Sequence, residues 1–173
     1  MSIKVALLVA QVGFRKEELY DTKQILEDSG VEVIIVANEH GVATDHTGGT
    51  ISVDCTVQEL NPSDYLGCYI IGGEGTMEYL DTPQVYRLLN EFFALGKSYG
   101  AICIAPRILA KAQVLINIKA TCWNGDGKVQ EIFKEYGAIY DPSQVVTDGM
   151  VVTADSPSAA RAFGIAIIDA IAG

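Results

Sequence analysis

Apolar runs and polar breaks alternate along this chain in the manner of strands linked by helices. Val5-Ala6-Leu7-Leu8-Val9-Ala10 is continuously apolar, as expected of a strand covered on both faces in a parallel sheet. After a turn at Gly13, Leu19, Ile25 and Leu26 recur toward one side of a predicted helix. That helix closes at Ser29-Gly30, where glycine suits a left-handed cap. Val33-Ile34-Ile35-Val36 is a second buried strand, and the strand–helix–strand order requires a crossover. The pattern then loosens. Residues 38–64 are rich in Gly, Thr and Asp, and the alternation around Thr50-Ile51-Ser52-Val53 predicts a small hairpin or edge strands there.

The sheet resumes at Cys68-Tyr69-Ile70-Ile71 and stops at Gly72-Gly73. Val85, Leu88, Leu89, Phe92 and Phe93 fall at helical spacing behind Pro83, a good first-turn residue. Ala101-Ile102-Cys103 is a short strand running into a helix over about 105–112. A further strand is expected at Lys119-Ala120-Thr121-Cys122, and a helix through Val129, Ile132, Phe133 and Tyr136. A hairpin folds at Asp148-Gly149 between Val145-Val146-Thr147 and Val151-Val152-Thr153. Ser156-Pro157 reads as a cap and first turn for a last helix burying Phe163, Ile167 and Ile171. The sum is a doubly wound α/β fold with a mostly parallel sheet and helices on both faces. No repeat or linker divides it, so residues 1–173 read as a single domain.

Composition narrows the function classes. The 173 residues carry 22 acidic and 12 basic side chains, a formal charge of −10. Such a surface repels phosphate backbones and anionic lipid, which argues against nucleic acid and membrane partners. The opening apolar run is too short for a signal peptide and no stretch approaches a membrane span, so a cytoplasmic setting with reduced thiols is expected. Four cysteines stand at 55, 68, 103 and 122. They form no CxxC pair and no metal-like cluster with His40 and His46, so no metal or cofactor is expected.

The chemistry concentrates at Gly100-Ala101-Ile102-Cys103-Ile104-Ala105-Pro106. A buried strand ends at a cysteine, small residues surround it, and a helix begins at once. Ligands of doubly wound folds gather at the carboxyl ends of strands. A thiol at a helix start feels the positive end of the dipole, which favours thiolate. This strand–turn–helix pattern is that of a nucleophile elbow. The bland alternative is an inert cysteine filling a strand end.

The chain resembles the ThiJ/PfpI superfamily, which includes PfpI-type intracellular proteases and the parkinsonism-associated deglycase. The resemblance is carried by Gly13-Phe14-Arg15-Lys16-Glu17-Glu18-Leu19, Val53-Asp54, Asn61-Pro62-Ser63-Asp64-Tyr65, Ile70-Ile71-Gly72-Gly73, Ala101-Ile102-Cys103, Ala120-Thr121-Cys122-Trp123, Val146-Thr147-Asp148-Gly149 and Ala162-Phe163-Gly164, in order. It implies a flavodoxin-like fold and a reactive Cys103. It also implies that Glu18 hydrogen-bonds the sulfur as a protonated carboxyl, and that the backbone N–H groups of Gly73 and Ile104 form an oxyanion hole. Gly72, Trp123 and Cys122 are expected at the pocket, Cys122 either as a resolving thiol or as a buried filler. A homodimer or higher homo-oligomer is implied as well.

The sequence departs from the proteases of that family. Ile104 stands where they carry histidine, and Trp123 also removes a candidate base. Glu78, matching the acid of their relay, has no histidine to orient and reads as a surface or interface residue. His46 lies one residue out of register with a protease histidine, and both histidines read as solvated loop residues. Peptide hydrolysis therefore lacks a proton donor for the leaving amine. Two functions remain open. One is glyoxalase- or deglycase-like addition of Cys103 to a small-molecule carbonyl. The other is a redox or stress-response role in which an oxidant modifies the same thiol. A nucleotide- or flavin-binding domain ranks last, because Gln11-Val12-Gly13-Phe14 offers one glycine where a phosphate loop needs several.

Overall fold

A computed structural model describes residues 2–173. Its centre is a seven-stranded sheet. In chain order these strands are β1 (Ile3–Leu8), β3 (Val31–Ala37), β6 (Cys55–Thr56), β7 (Gly67–Ile70), β8 (Ser98–Ile102), β11 (Val145–Asp148) and β12 (Val151–Ala154). They lie side by side as β11-β12-β8-β7-β1-β3-β6, all parallel except β11, which returns from β12 through the Asp148-Gly149 turn. β7 and β8, near the middle, are buried along their whole length. That burial accounts for the apolar runs Cys68-Tyr69-Ile70-Ile71 and Ala101-Ile102.

Two apolar layers sandwich the sheet. On one face α1 (Lys16–Asp28) and α6 (Ala160–Ala172) bury Leu19, Leu26, Phe163 and Ile167. These helices approach closely at Gly164, where an added Cβ would stand 2.9 Å from that of Ile25. The other face is covered by α3 (Pro83–Ala94), α4 (Pro106–Lys111) and α5 (Val129–Glu135), through Leu89, Phe92, Leu109 and Phe133. The excursion at 38–64 contains the expected hairpin, β4 (Val42–Asp45) with β5 (Thr50–Ser52). It is joined by a strand the sequence did not reveal, β2 (Val12–Phe14). A short helix α2 (Thr76–Leu80) was likewise not foreseen.

Three expectations are corrected. Lys119–Ala120 (β9) is a strand of two residues outside the main sheet, pairing with β10 (Ile139–Tyr140). Just beyond it, the Thr121 N–H donates to the Thr153 hydroxyl at 2.9 Å, so a side chain of β12 takes the place of a ladder. Phe93 is 59% exposed, because one step around α3 from Phe92 turns it away from the sheet. Ser156 does not cap with its side chain, which bonds Asp155 instead; the last helix opens through a 3-10 turn at Pro157–Ala159. No helix among the described residues is long and apolar enough to cross a membrane.

Candidate functional site

β8 delivers the chain to Cys103, which sits at φ 61°. A side chain other than glycine in this region costs about 1–2 kcal/mol, so the surroundings must hold it. They do so with backbone bonds. The Cys103 N–H donates to the Ala154 carbonyl at 2.9 Å, and its own carbonyl accepts from the Trp123 N–H at 2.8 Å. The Cys122 thiol donates to that carbonyl as well, at 3.2 Å. The elbow expected from the sequence is thus present and pinned from two neighbouring segments.

The partner carboxyl arrives from the opposite side. β2 and the start of α1 cross over the turn that follows β7, with Arg15 N–H bonded to Gly72 O (2.8 Å) and Gly75 N–H to Gly13 O (3.0 Å). The chains touch so closely that a Cβ on Gly75 would lie 1.8 Å from Val12 O, and one on Gly73, at φ 138°, 2.4 Å from Gly13 O. Glycine is required at both places. The crossing aims Glu18, in the first turn of α1, into the protein. Glu18 is fully buried; Oε1 accepts from the Gly72 N–H at 2.9 Å, and Oε2 has no hydrogen-bond partner.

Burial dominates the electrostatics. Desolvation pushes the Glu18 carboxyl up to about 7, against the opposing pull of the Gly72 N–H and the Cys103 thiol. Cys103 is pushed up as well, by burial first and by the neighbouring Glu18 charge second, with the Ile104 N–H pulling the other way. The sequence expectation of a thiol lowered by a helix dipole is corrected here. α4 is only six residues long and begins at Pro106, so burial and the carboxylate outweigh it. The two groups instead form a coupled pair that holds one proton between them over a wide range. The Cys103 thiol and the Glu18 carboxyl bear directly on each other: contact with the thiol favours the carboxylate, and contact with the carboxylate holds the proton on sulfur.

Around the sulfur lies an open pocket of about 380 Å³, lined by Arg15, Glu18, Gly73, Glu74, Met77, Cys103, Ile104, Trp123 and Pro157. It unites five of the residues expected from sequence, namely Glu18, Gly73, Cys103, Ile104 and Trp123. Among the described residues, neither the Gly73 nor the Ile104 N–H donates to a backbone or side-chain oxygen. Trp123 is 38% exposed, yet braced: the Arg107 guanidinium lies 5.6 Å from its ring, bonds its carbonyl and grips Asp126 with both terminal nitrogens. That grip lowers Asp126 to about 2.

Other placements differ from expectation. Gly72 lies beneath the site and holds Glu18 rather than forming the wall. Cys122 is not in the pocket either; it is 1% exposed and spends its thiol on the Cys103 carbonyl, while burial pushes it up to about 11. His46 is not a solvated loop residue. Its side chain is 15% exposed, with Nδ1 accepting from the Lys16 N–H at 3.5 Å and Nε2 3.7 Å from Glu17. His40 is exposed against Glu59, and Glu78 is exposed. Arg15, Glu74, Met77 and Pro157 were missed as pocket residues. No cluster of three or more His, Cys, Asp or Glu suited to a metal occurs among the described residues.

Comparison with known proteins places the chain. Residues 3–170 match the DJ-1/PfpI family. An uncharacterized protein of Methanocaldococcus jannaschii is 38% identical over 97% of this chain and 82% of its own. Deglycase PfpI of Pyrococcus furiosus is 29% identical over 90% of this chain and 91% of its own. The crystal structure of a ThiJ/PfpI domain protein from Brachyspira murdochii superposes with a TM-score of 0.93 at 22% identity, covering 99% of this chain and 98% of the other. That likeness establishes the fold. The chain belongs to the DJ-1/PfpI family.

Proposed function

We propose that this member of the DJ-1/PfpI family is a cysteine-dependent enzyme acting on small electrophilic carbonyl compounds, in the manner of a glyoxalase or deglycase. One observation carries the reading: a strained Cys103 and a buried Glu18 meet at the floor of an open pocket, beside the Gly73 N–H, which bonds no protein oxygen, and the Ile104 N–H, which bears on the sulfur itself. Its reactive form has the proton on Glu18 and the charge on sulfur. The sulfur adds to an aldehyde carbon, the carbonyl electron pair moves to oxygen, and the Gly73 and Ile104 N–H groups receive that oxyanion. Glu18 supplies its proton to the oxygen. With a 2-oxoaldehyde, the resulting carboxylate can then take the hydrogen of the same carbon as a proton and return it to the neighbouring carbon, while the proton on the first oxygen passes to the former ketone oxygen. The product is a 2-hydroxy thioester. Water cleaves it to a 2-hydroxy acid and the free thiol, so no external oxidant or reductant is consumed.

The pocket lining favours carbonyl addition over peptide hydrolysis. It contains no imidazole, and addition to an aldehyde expels no amine that must be protonated. A homo-oligomer in a cytoplasmic setting, acting as one domain, belongs to the same reading. Methylglyoxal turnover tests it: Cys103→Ala should fall to the uncatalysed background while the far-ultraviolet spectrum stays unchanged. Equal rates for wild type and variant would reject the enzyme.

A second reading uses the same sulfur as an oxidant sensor. Cys103 is half-buried and lines the pocket, whereas Cys68 and Cys122 are buried and Cys55 stands elsewhere. Mild peroxide followed by peptide mass spectrometry should find sulfenic or sulfinic acid first at Cys103. Earlier oxidation of Cys55 would count against it.

A further inference from the structure

Arg15 has no part in the chemistry above, yet it is the one basic side chain on the pocket wall. The protein carries a formal charge of −10, a field that discourages small anions from approaching. A guanidinium in the same pocket as the candidate nucleophile, near enough to act on Glu18, runs against that field. The placement is built into the fold: Arg15 precedes the first turn of α1, its N–H bonds Gly72 O and its carbonyl accepts from the Leu19 N–H. It therefore hangs from the same crossing that brings Gly73 to the pocket.

The guanidinium is only partly committed. Nε donates to Glu17 Oε2 at 3.2 Å, in a pair whose side chains are 40% and 43% exposed. Exposed pairs of this kind contribute about 0–1 kcal/mol, so a ligand can compete with or complement them. Glu17 also lies 3.7 Å from His46 Nε2. Among the described residues, the two terminal nitrogens of Arg15 donate to nothing. A planar fork with two open nitrogens matches a carboxylate bidentately. Glu74, exposed on the same wall, opposes a second negative charge and so favours a monoanion.

We propose that Arg15 makes the pocket selective for small electrophilic carbonyl compounds that also carry one carboxylate, held end-on by its terminal nitrogens while the carbonyl faces Cys103. The selectivity rests on the nucleophile reading above, and its test is arranged to separate the two. Iodoacetate and iodoacetamide are nearly the same size and differ by one negative charge. Cys103 alkylation is followed for both, at fixed pH and ionic strength, in wild type, Arg15→Gln and Arg15→Lys. The iodoacetate to iodoacetamide rate ratio should fall about 10-fold in Arg15→Gln, the order expected for one charge-assisted contact, and be partly restored in Arg15→Lys. The iodoacetamide rate reports any change in the thiol that loss of the Arg15 charge brings through Glu18, and the ratio removes it. An unchanged ratio overturns the proposal.

If neither reagent modifies Cys103, the nucleophile reading fails, and a second measurement still decides the role of Arg15. Trp123, which lines this pocket, is the single tryptophan of the chain. Oxamate, a carboxylate with no reactive carbonyl, should quench its emission saturably in wild type. In Arg15→Gln the required concentration should rise about 10-fold. Equal quenching curves would remove Arg15 from anion recognition.

Discussion

Replacing Gly72 with alanine is expected to destabilise the protein by about 2–3 kcal/mol and to lower carbonyl turnover on the order of 100-fold. A Cβ at this position would stand 2.6 Å from Glu18 Oε1, 2.8 Å from the Cys103 Cβ and 2.8 Å from Ile102 O. The backbone of Cys103 is bonded on both sides and Ile102 O accepts from the Ala105 N–H, so relief falls chiefly on the Glu18 carboxyl. The carboxylate oxygen it strikes is the one bound to the Gly72 N–H, and the Cβ it strikes belongs to the strained elbow. One methyl group therefore pushes the acid and the thiol apart. Urea midpoints measure the first effect and methylglyoxal rates the second. Gly30→Ala is the control. Gly30 sits at φ 83° with nothing within 4 Å of an added Cβ, so about 1 kcal/mol of backbone strain should appear with no loss of rate. Wild-type midpoint and rate in Gly72→Ala would refute the packing argument.

The same crossing explains how much of the site could be read beforehand. Cys103 was legible because a buried strand, a bend and a helix follow one another directly in sequence. Glu18 was legible only through its place in a family pattern; nothing local distinguishes it from Glu17, and burial alone separates them. Gly73 and Ile104, like Glu18, were implied by the family pattern. Arg15 offers no signal in the sequence, since its exposure to the pocket depends on β2 crossing the turn after β7. Met77 and Pro157 come from α2 and a 3-10 turn that are too short to leave a periodic trace. Cys122 misled for the opposite reason. Its segment does pass near the site, but the thiol is committed to the Cys103 carbonyl. His46 reads as a loop residue because the Lys16 N–H that docks it is thirty residues away in sequence. Fold class needed less, since buried strands and amphipathic helices record their period directly.

Glu18→Gln is expected to change both the stability profile and the thiol titration, in directions fixed by the burial of one carboxyl. In the folded protein this group is raised from an ordinary 4.5 to about 7. Between those values the folded state holds a proton that the unfolded state has released. Stability is therefore fully present below about 4.5 and falls as pH rises toward 7, by at most about 3 kcal/mol. Glutamine keeps the shape and can still accept from the Gly72 N–H, but it carries no titratable proton. Wild type and variant should match near pH 4.5, and the variant should be the more stable above pH 7. Reactivity should change as well. In wild type the first proton to leave the pair, near pH 7, exposes the thiolate with Glu18 still protonated in a fraction of molecules. Alkylation should rise there to a shelf, because the remaining proton is held by burial and by the adjacent charge. In Glu18→Gln that neighbouring charge is gone, and Cys103 should titrate in one step without the shelf. Glu17→Gln, one residue away but outside the pocket, should keep the shelf, displaced only slightly downward by the loss of the Glu17 charge. A shelf near pH 7 that survives in Glu18→Gln would assign the proton to another group and break the pairing on which the reactive sulfur depends.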